Sequence, residues 1–240
     1  MPTDLDLTLR PATVADVAGI ATVHVSARHA ASMPPLAHPE DDVRRWLDGR
    51  LRTNDTVWAA EADGVVVGYA RFTKTWLDDL YVVPEVAGQG IGSALLDLVK
   101  QQRPDGFCLW VFEMNTPAHD FYVRRGFVEL ERTDGHANEE KTPDIKMAWP
   151  GSDPLTFFRR LIDDVDAELG DLLARRVALT RAVQAHKSDA TRDPEREAQI
   201  AAGMARRAPE LGEERLARIV QSIITESLDA VADQNAEITK

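Results

Sequence analysis

A chain of 240 residues with 40 acidic against 28 basic side chains carries a formal charge of -12. That balance offers no sequence-wide attraction for nucleic acid or anionic membrane, and the length accommodates two domains, each able to bury its own core. No apolar run approaches a membrane-spanning length, and Met1-Pro2-Thr3-Asp4 has no apolar leader behind it. A lone cysteine, Cys108, excludes an intrachain disulfide and reads as a packing residue between Phe107 and Leu109-Trp110. The expectation is a cytoplasmic protein working on small molecules.

In chain order, β-favouring runs fall at Leu7 to Arg10, Val57 to Glu61, Val65 to Thr73, Asp79 to Val83, Phe107 to Phe112 and Ile145 to Trp149, with helical stretches between them. The texture then changes. Trp149-Pro150-Gly151-Ser152-Asp153-Pro154 has linker composition, and Asp153-Pro154 also reads as an N-cap with proline at the first helical position. From Leu155 to Lys187, Ile162, Val165, Leu169, Leu172, Leu173, Val177 and Val183 recur at helical spacing, predicting one long helix. A second helix is expected from Asp193-Pro194 to near Pro209, and a third from Gly212 to Ala232. The domain expectation is 1–150, a linker at 151–154, and 155–240.

Within the first half, Leu80-Tyr81-Val82-Val83-Pro84 is a strand ending at proline, and Gly88-Gln89-Gly90-Ile91-Gly92 then opens a helix from Ser93 to Lys100. Glycines let the backbone approach a pyrophosphate closely, and free amides at a helix N-terminus donate to it. The same pattern also describes a tight strand-to-helix connection, so the glycines alone do not decide. Downstream come Asn115-Thr116-Pro117-Ala118, Phe121-Tyr122 and Arg125-Gly126-Phe127.

With both motifs in this order, and Leu9-Arg10-Pro11-Ala12-Thr13 at its start, the stretch from about 5 to 149 resembles the GCN5-related N-acetyltransferase (GNAT) family. The resemblance implies an α/β fold with a mixed, mostly antiparallel sheet flanked by helices, and acetyl-CoA as cofactor. It assigns the pyrophosphate to Gly88, Gln89, Gly90, Ile91 and Gly92, the pantetheine arm to backbone groups of Val82 and Val83, and a cofactor contact to Asn115. Tyr122 becomes the acid that protonates the leaving thiolate, the alternative being a core aromatic beside Phe121. Ala87 stands where the family usually has Arg or Gln. The base stays open: Asp78 and Asp79 point to opposite faces of a strand, and each reads as a solvated turn acid. The loop Asp134 to Glu140 either touches the acceptor or is an exposed hairpin. The histidines, among them His24, His29, His119 and His136, have no metal-ligand spacing, so no metal is expected.

In the second half, Arg176 and Lys187 lie eleven residues apart, which at about 100° per residue returns to nearly one helix face. Arg159 precedes Arg176 by 17 residues, roughly 25 Å along the axis, and cannot enter the same site from its own helix. A helix this long also needs more apolar partners than two shorter helices supply, which an intertwined homodimer provides.

These residues resemble the all-helical chorismate mutase family over about 155 to 232. The resemblance implies a three-helix domain in an intertwined dimer that needs no cofactor. Arg159 would cross to the partner's site, Arg176 would clamp a carboxylate, and Lys187 would donate to the ether oxygen of chorismate. Asp193, Arg196 and Glu197 match an Asp-x-x-Arg-Glu element, with Glu197 accepting from the ring hydroxyl, and Ser227 matches a carboxylate-binding serine. Asp193 before Pro194 is equally an N-cap. Val231 occupies the place of a Gln or Glu donor, and the loop from Lys187 to Asp193 is shorter than usual. A missing donor costs on the order of 2 to 4 kcal/mol of transition-state stabilisation, which predicts a slow or differently specialised mutase.

The combined expectation is an N-acetyltransferase joined to a chorismate mutase, in a pathway of aromatic or chorismate-derived metabolites. Two alternatives make the helical half a dimerisation or chorismate-sensing module, or an enzyme for an analogue such as isochorismate.

Overall fold

The computed structural model describes residues 6–52, 56–186 and 192–238, with backbone alone from 234 onward. Two compact units divide the chain, Met1–Phe158 and Arg159–Lys240.

The first unit comprises β1 (Leu7–Pro11), α1 (Val17–Ala30), α2 (Glu40–Leu51), β2 (Thr56–Ala62), β3 (Val65–Phe72), β4 (Leu77–Val82), α3 (Ile91–Gln102), β5 (Phe107–Phe112), α4 (Thr116–Val123), β6 (Val128–Thr133) and β7 (Asp144–Trp149). Strands β1-β2-β3-β4 form one antiparallel sheet and β5-β7-β6 a second. Strand β6 was not expected from sequence. Its residues are exposed apart from the half-buried Thr133, so it is held by the ladder to β7 rather than by an apolar face.

Ile91, Leu95, Leu96 and Val99 repeat at helical spacing along α3, and that face packs among Phe72, Phe107, Leu109 and Met147. On a separate cluster, Ile20 and Val23 of α1 meet Val43 and Leu47 of α2 over Val57 and Tyr69. The opening Arg10 is held by two carboxylates, Asp16 at 2.7 Å and Glu61 at 2.6 Å, tying the first strand to its neighbour and to the entry of α1.

The two sheets touch at one parallel bridge, Trp76 to Cys108, where the Cys108 amide donates to Thr75 O at 2.9 Å. Past that point a cavity of about 480 Å³ lies between Leu77–Tyr81 and Leu109–Phe112. Divergence of two parallel strands therefore creates the cleft. Cys108 itself is buried, as its apolar flanks indicated.

Three helices follow: α5 (Pro154–Gln184), α6 (Pro194–Ala205) and α7 (Glu213–Ile238). Asp153 and Asp193 both act as caps, accepting from the amides of Thr156 at 3.2 Å and Arg196 at 3.0 Å. The first turn of α5 belongs to the first unit, where Phe157 is buried over Gly106; a Cβ on Gly106 would meet Phe157 Cδ2 at 2.5 Å, and its φ of 88° suits glycine alone. In the second unit Ala201, Leu216 and Val220 are buried in the small core of α6 and α7. Helix α7 runs past the expected end at Ala232. Along α5, Ile162, Val165, Leu169, Leu172, Leu179 and Val183 remain 47% to 62% exposed.

Candidate active sites

Strand β4 leads through a 3₁₀ turn, Pro84–Val86, to the glycine loop and α3. Gly88 and Gly90 adopt φ of 81° and 90°, and Gly90 caps the helix. A 12-residue helix leaves the amides of its first turn, at Ile91, Gly92 and Ser93, without partners in its own ladder, a donor set suited to an anion. Two expected contributions change. The Gln89 amide donates to Val86 O at 3.3 Å and is committed inside the loop, and the Ile91 side chain is in the core, so its backbone alone can face a ligand.

The pantetheine assignment divides in the same way. Val83 donates to Val67 O at 2.9 Å and its carbonyl accepts from Val86 at 3.3 Å, so both its backbone groups are occupied. Alternation along the strand turns the backbone groups of Val82 to the opposite edge, where β4 and β5 part.

Tyr122 and Asn115 line the cleft. Asn115 Oδ1 caps α4, accepting from Ala118 at 3.3 Å. Tyr122 packs edge-on against Phe121 with centroids 5.2 Å apart and lies 5.1 Å from the Phe127 ring. It is thus both a core aromatic and a cleft residue. Burial, with Tyr81 and Asp79 behind it, pushes its hydroxyl well above the ordinary tyrosine range, so the proton stays on.

A second cavity of about 460 Å³ includes His24, Trp46 and Arg71, and Arg28, Asp79 and Glu140 line both cavities. The expectation that Asp79 is a solvated turn acid is corrected: it is buried and paired with Arg71 Nε at 2.5 Å, directly opposite it in the β3–β4 ladder. Asp78 is more exposed, 3.5 Å from Arg71 Nη1. His24, read as an ordinary polar residue, is buried with Nδ1 2.7 Å from the Tyr69 hydroxyl. Burial lowers its pKa, offset in part by Asp79 and aided by Arg28 and Arg71. The loop after β6 reaches this region, with Glu140 bonded to Arg28 at 2.9 Å. Sequence reasoning missed His24, Arg28, Arg71 and Trp46; the one signal available was the cross-strand match of Arg71 with Asp79.

In the second unit Arg176, Asp193, Arg196 and Glu197 converge on a cavity of about 140 Å³, joined by Thr180, Gln184 and Arg192. Arg192 was not expected; it grips both oxygens of Glu197 and holds that carboxyl below its usual pKa. Arg176 Nη1 donates to Ile223 O at 3.2 Å. Ser227 is not brought to this cavity: its hydroxyl donates to Ile223 O at 2.5 Å in its own helix. Arg159 is exposed and does not line it, as the helix length required, and Lys187 lies outside the described residues. Val231 is buried. Among the described residues no cluster of His, Cys, Asp or Glu could hold a metal ion, and no helix is long and apolar enough to cross a membrane.

The first unit thus has the architecture of a coenzyme A-dependent acyltransferase, with a glycine-led helix behind a cleft between parting strands. Residues 24–127 match the acetyltransferase (GNAT) family model, and residues 158–231 match that of chorismate mutase type II. The peptidyl-lysine N-acetyltransferase YiaC of Escherichia coli is 32% identical over 120 residues, 47% of this chain and 80% of YiaC. The peptidyl-lysine N-acetyltransferase YjaB of Salmonella typhimurium is 32% identical over 95 residues, 39% of this chain and 65% of YjaB. A crystal structure of a GNAT-family acetyltransferase from Bacillus cereus shares the fold, with a TM-score of 0.50 at 14% identity over 61% of this chain and 99% of that one. The chain belongs to the GCN5-related N-acetyltransferase family, whose fold implies acetyl-CoA as donor, and carries a chorismate mutase type II domain after it.

Proposed function

We propose that the first unit transfers acetyl from acetyl-CoA to an amine and that the second, as a homodimer, rearranges chorismate to prephenate. In the transferase, the pyrophosphate sits on the first amides of α3, and Val82 presents its backbone to the pantetheine arm. The neutral amine attacks the thioester carbonyl, the C–S bond breaks, and the thiolate takes the Tyr122 proton. His24, kept neutral by burial, takes the proton lost by the amine. The supporting observation is the position of Tyr122, which lines the cleft between the parting strands with its proton in place. Release of free CoA thiol across an amine panel tests it; turnover that survives Gly90→Trp would mean the loop is misassigned.

For the mutase, the supporting observation is the exposed apolar face of α5 beside a cavity of about 140 Å³. A second copy covers the apolar stripe, larger than a lone soluble chain usually leaves open, and brings Arg159 to Arg176, Arg196 and Glu197. With Lys187 on the ether oxygen, these cations hold the reactive conformer and stabilise charge where the bond breaks, without a further cofactor.

Val231 buried in the core and Ser227 bonded to its own helix favour a second reading, in which this domain turns chorismate over slowly, senses it, or takes an analogue such as isochorismate. Loss of the chorismate diene absorbance separates these readings: binding without turnover supports sensing. Both halves fit a cytoplasmic enzyme of aromatic metabolism.

A further inference from the structure

Trp110 belongs to neither hydrophobic cluster of the first unit and stays 44% exposed, yet it lines the cleft of about 480 Å³. Alternation along β5 explains its placing. Leu109 and Val111 turn to the core packed against α3, so Trp110 and Phe112 face the other side of the sheet. Phe112 accordingly meets Arg28 of α1, whose guanidinium is 5.9 Å from the ring centroid. The Trp110 indole is braced from behind: Trp76, where the two sheets meet, lies nearly parallel to it, with ring centroids 6.4 Å apart and planes 9° apart. Lys146, opposite Trp110 in the β5–β7 ladder, sets its ammonium 5.4 Å from the Trp76 centroid. An indole left this open inside a cleft adds nothing to the core, and suits a surface that is covered when a ligand binds.

We propose that Trp110 is the stacking platform for the acetyl acceptor, and that the acceptor is a small amine carrying a flat aromatic ring and no carboxylate. This rests on the transferase reading above. With the pyrophosphate on the first turn of α3, acetyl-CoA occupies the α3 side of the cleft, and the side of Trp110 and Phe112 is left to the acceptor. The stack on Trp76 fixes the indole before the ligand arrives, so little side-chain entropy is lost on binding. A ring laid offset or edge-on against it gains over an aliphatic group of the same size. Charge argues against a carboxylate on the ligand. Asp78, Asp79, Glu140 and Asp144 line the cleft against Arg28 alone, and with Arg71 and Lys146 beside them counted as well, acid stays in excess.

The test uses the full-length protein, acetyl-CoA, 2-phenylethylamine, its ring-saturated analogue 2-cyclohexylethylamine, phenylalanine, and a lysine peptide blocked at both ends. CoA thiol release is followed and acetyl-CoA affinity is measured by calorimetry. The aromatic amine should be preferred in kcat/KM over its saturated analogue, over phenylalanine and over the peptide. Amine reactivity cannot explain poorer use of phenylalanine, since its amine is the less basic and more often unprotonated. In Trp110→Leu the ratio of aromatic to saturated amine should fall about two- to tenfold while acetyl-CoA affinity is retained, and Trp110→Phe should fall between. Differences in basicity between the two amines cancel in that comparison, because both proteins meet the same pair. Equal or better use of the saturated amine, preference for phenylalanine or the blocked peptide, turnover of no amine, or an unchanged ratio in Trp110→Leu would each overturn the proposal. Failure of the wild-type protein to bind acetyl-CoA would instead remove the transferase reading itself.

Discussion

Arg192 clasps Glu197 through two parallel hydrogen bonds, Nε to Oε1 at 2.7 Å and Nη2 to Oε2 at 2.8 Å, while Nη1 reaches Thr225 Oγ1 at 3.1 Å. The pair brings the segment before α6 to α7 and keeps Glu197 ionised, with hydrogen bonding to Arg192 as the largest cause of its lowered pKa.

In the proposed mutase, Glu197 holds the substrate hydroxyl most strongly as a carboxylate. With Arg192 present, the charged form persists to lower pH; without it, protonation starts at higher pH. Arg192→Gln should therefore move the acid limb of the mutase pH profile upward. An unshifted limb would show that Glu197 does not govern it.

Arg159→Ala and Arg176→Ala should each abolish most chorismate turnover, and mixing the two inactive proteins should restore about a quarter of the wild-type sites. Half of the randomly formed dimers are hybrids, and each hybrid has one of its two sites intact. If exchange occurs and no activity returns, the shared site is wrong.

Tyr122→Phe should lower acetyl transfer by roughly 10²- to 10⁴-fold, the usual contribution of a positioned acid, with acetyl-CoA affinity unchanged. The ring packing against Phe121 and Phe127 survives this change. A matching loss of affinity would instead mark the hydroxyl as a binding group.

His24 makes the first unit acid-sensitive. Its folded pKa lies below the ordinary 6.5, so the unfolded chain binds more protons there. Stability is complete above about pH 6.5 and falls as pH drops toward the folded value, then levels off. All five tryptophans precede residue 150, so their fluorescence in urea reports this unit. His24→Gln should flatten the decline below pH 6.5; parallel slopes in both proteins would assign the titration elsewhere.

Much of the scaffold was legible because its signals are local. Six of the seven strands read from β-favouring runs, and the caps at Asp153 and Asp193 read from aspartate before proline. Strand β6 escaped because it buries no face, and the end of α7 because its polar tail has no stop signal after Ala232. The cofactor loop read from glycines after a strand, yet which amides it can spare did not: Gln89 and Val83 bond within the chain through turns whose geometry no spacing reveals.

The sequence by itself determined that two units follow one another, that a glycine-led helix starts after β4, and that Arg159 cannot reach Arg176 along one helix, since each follows from neighbouring residue types or a fixed rise per residue. Tertiary structure decided the rest. It turned Asp79 from a solvated acid into the buried partner of Arg71, brought His24 to Tyr69 across 45 residues, and set Arg28 between two cavities. It also directed the Ser227 hydroxyl into its own helix and put Arg192 on Glu197. Burial and long-range ion pairing depend on which surfaces the packing closes, and no local pattern in the chain carries that information.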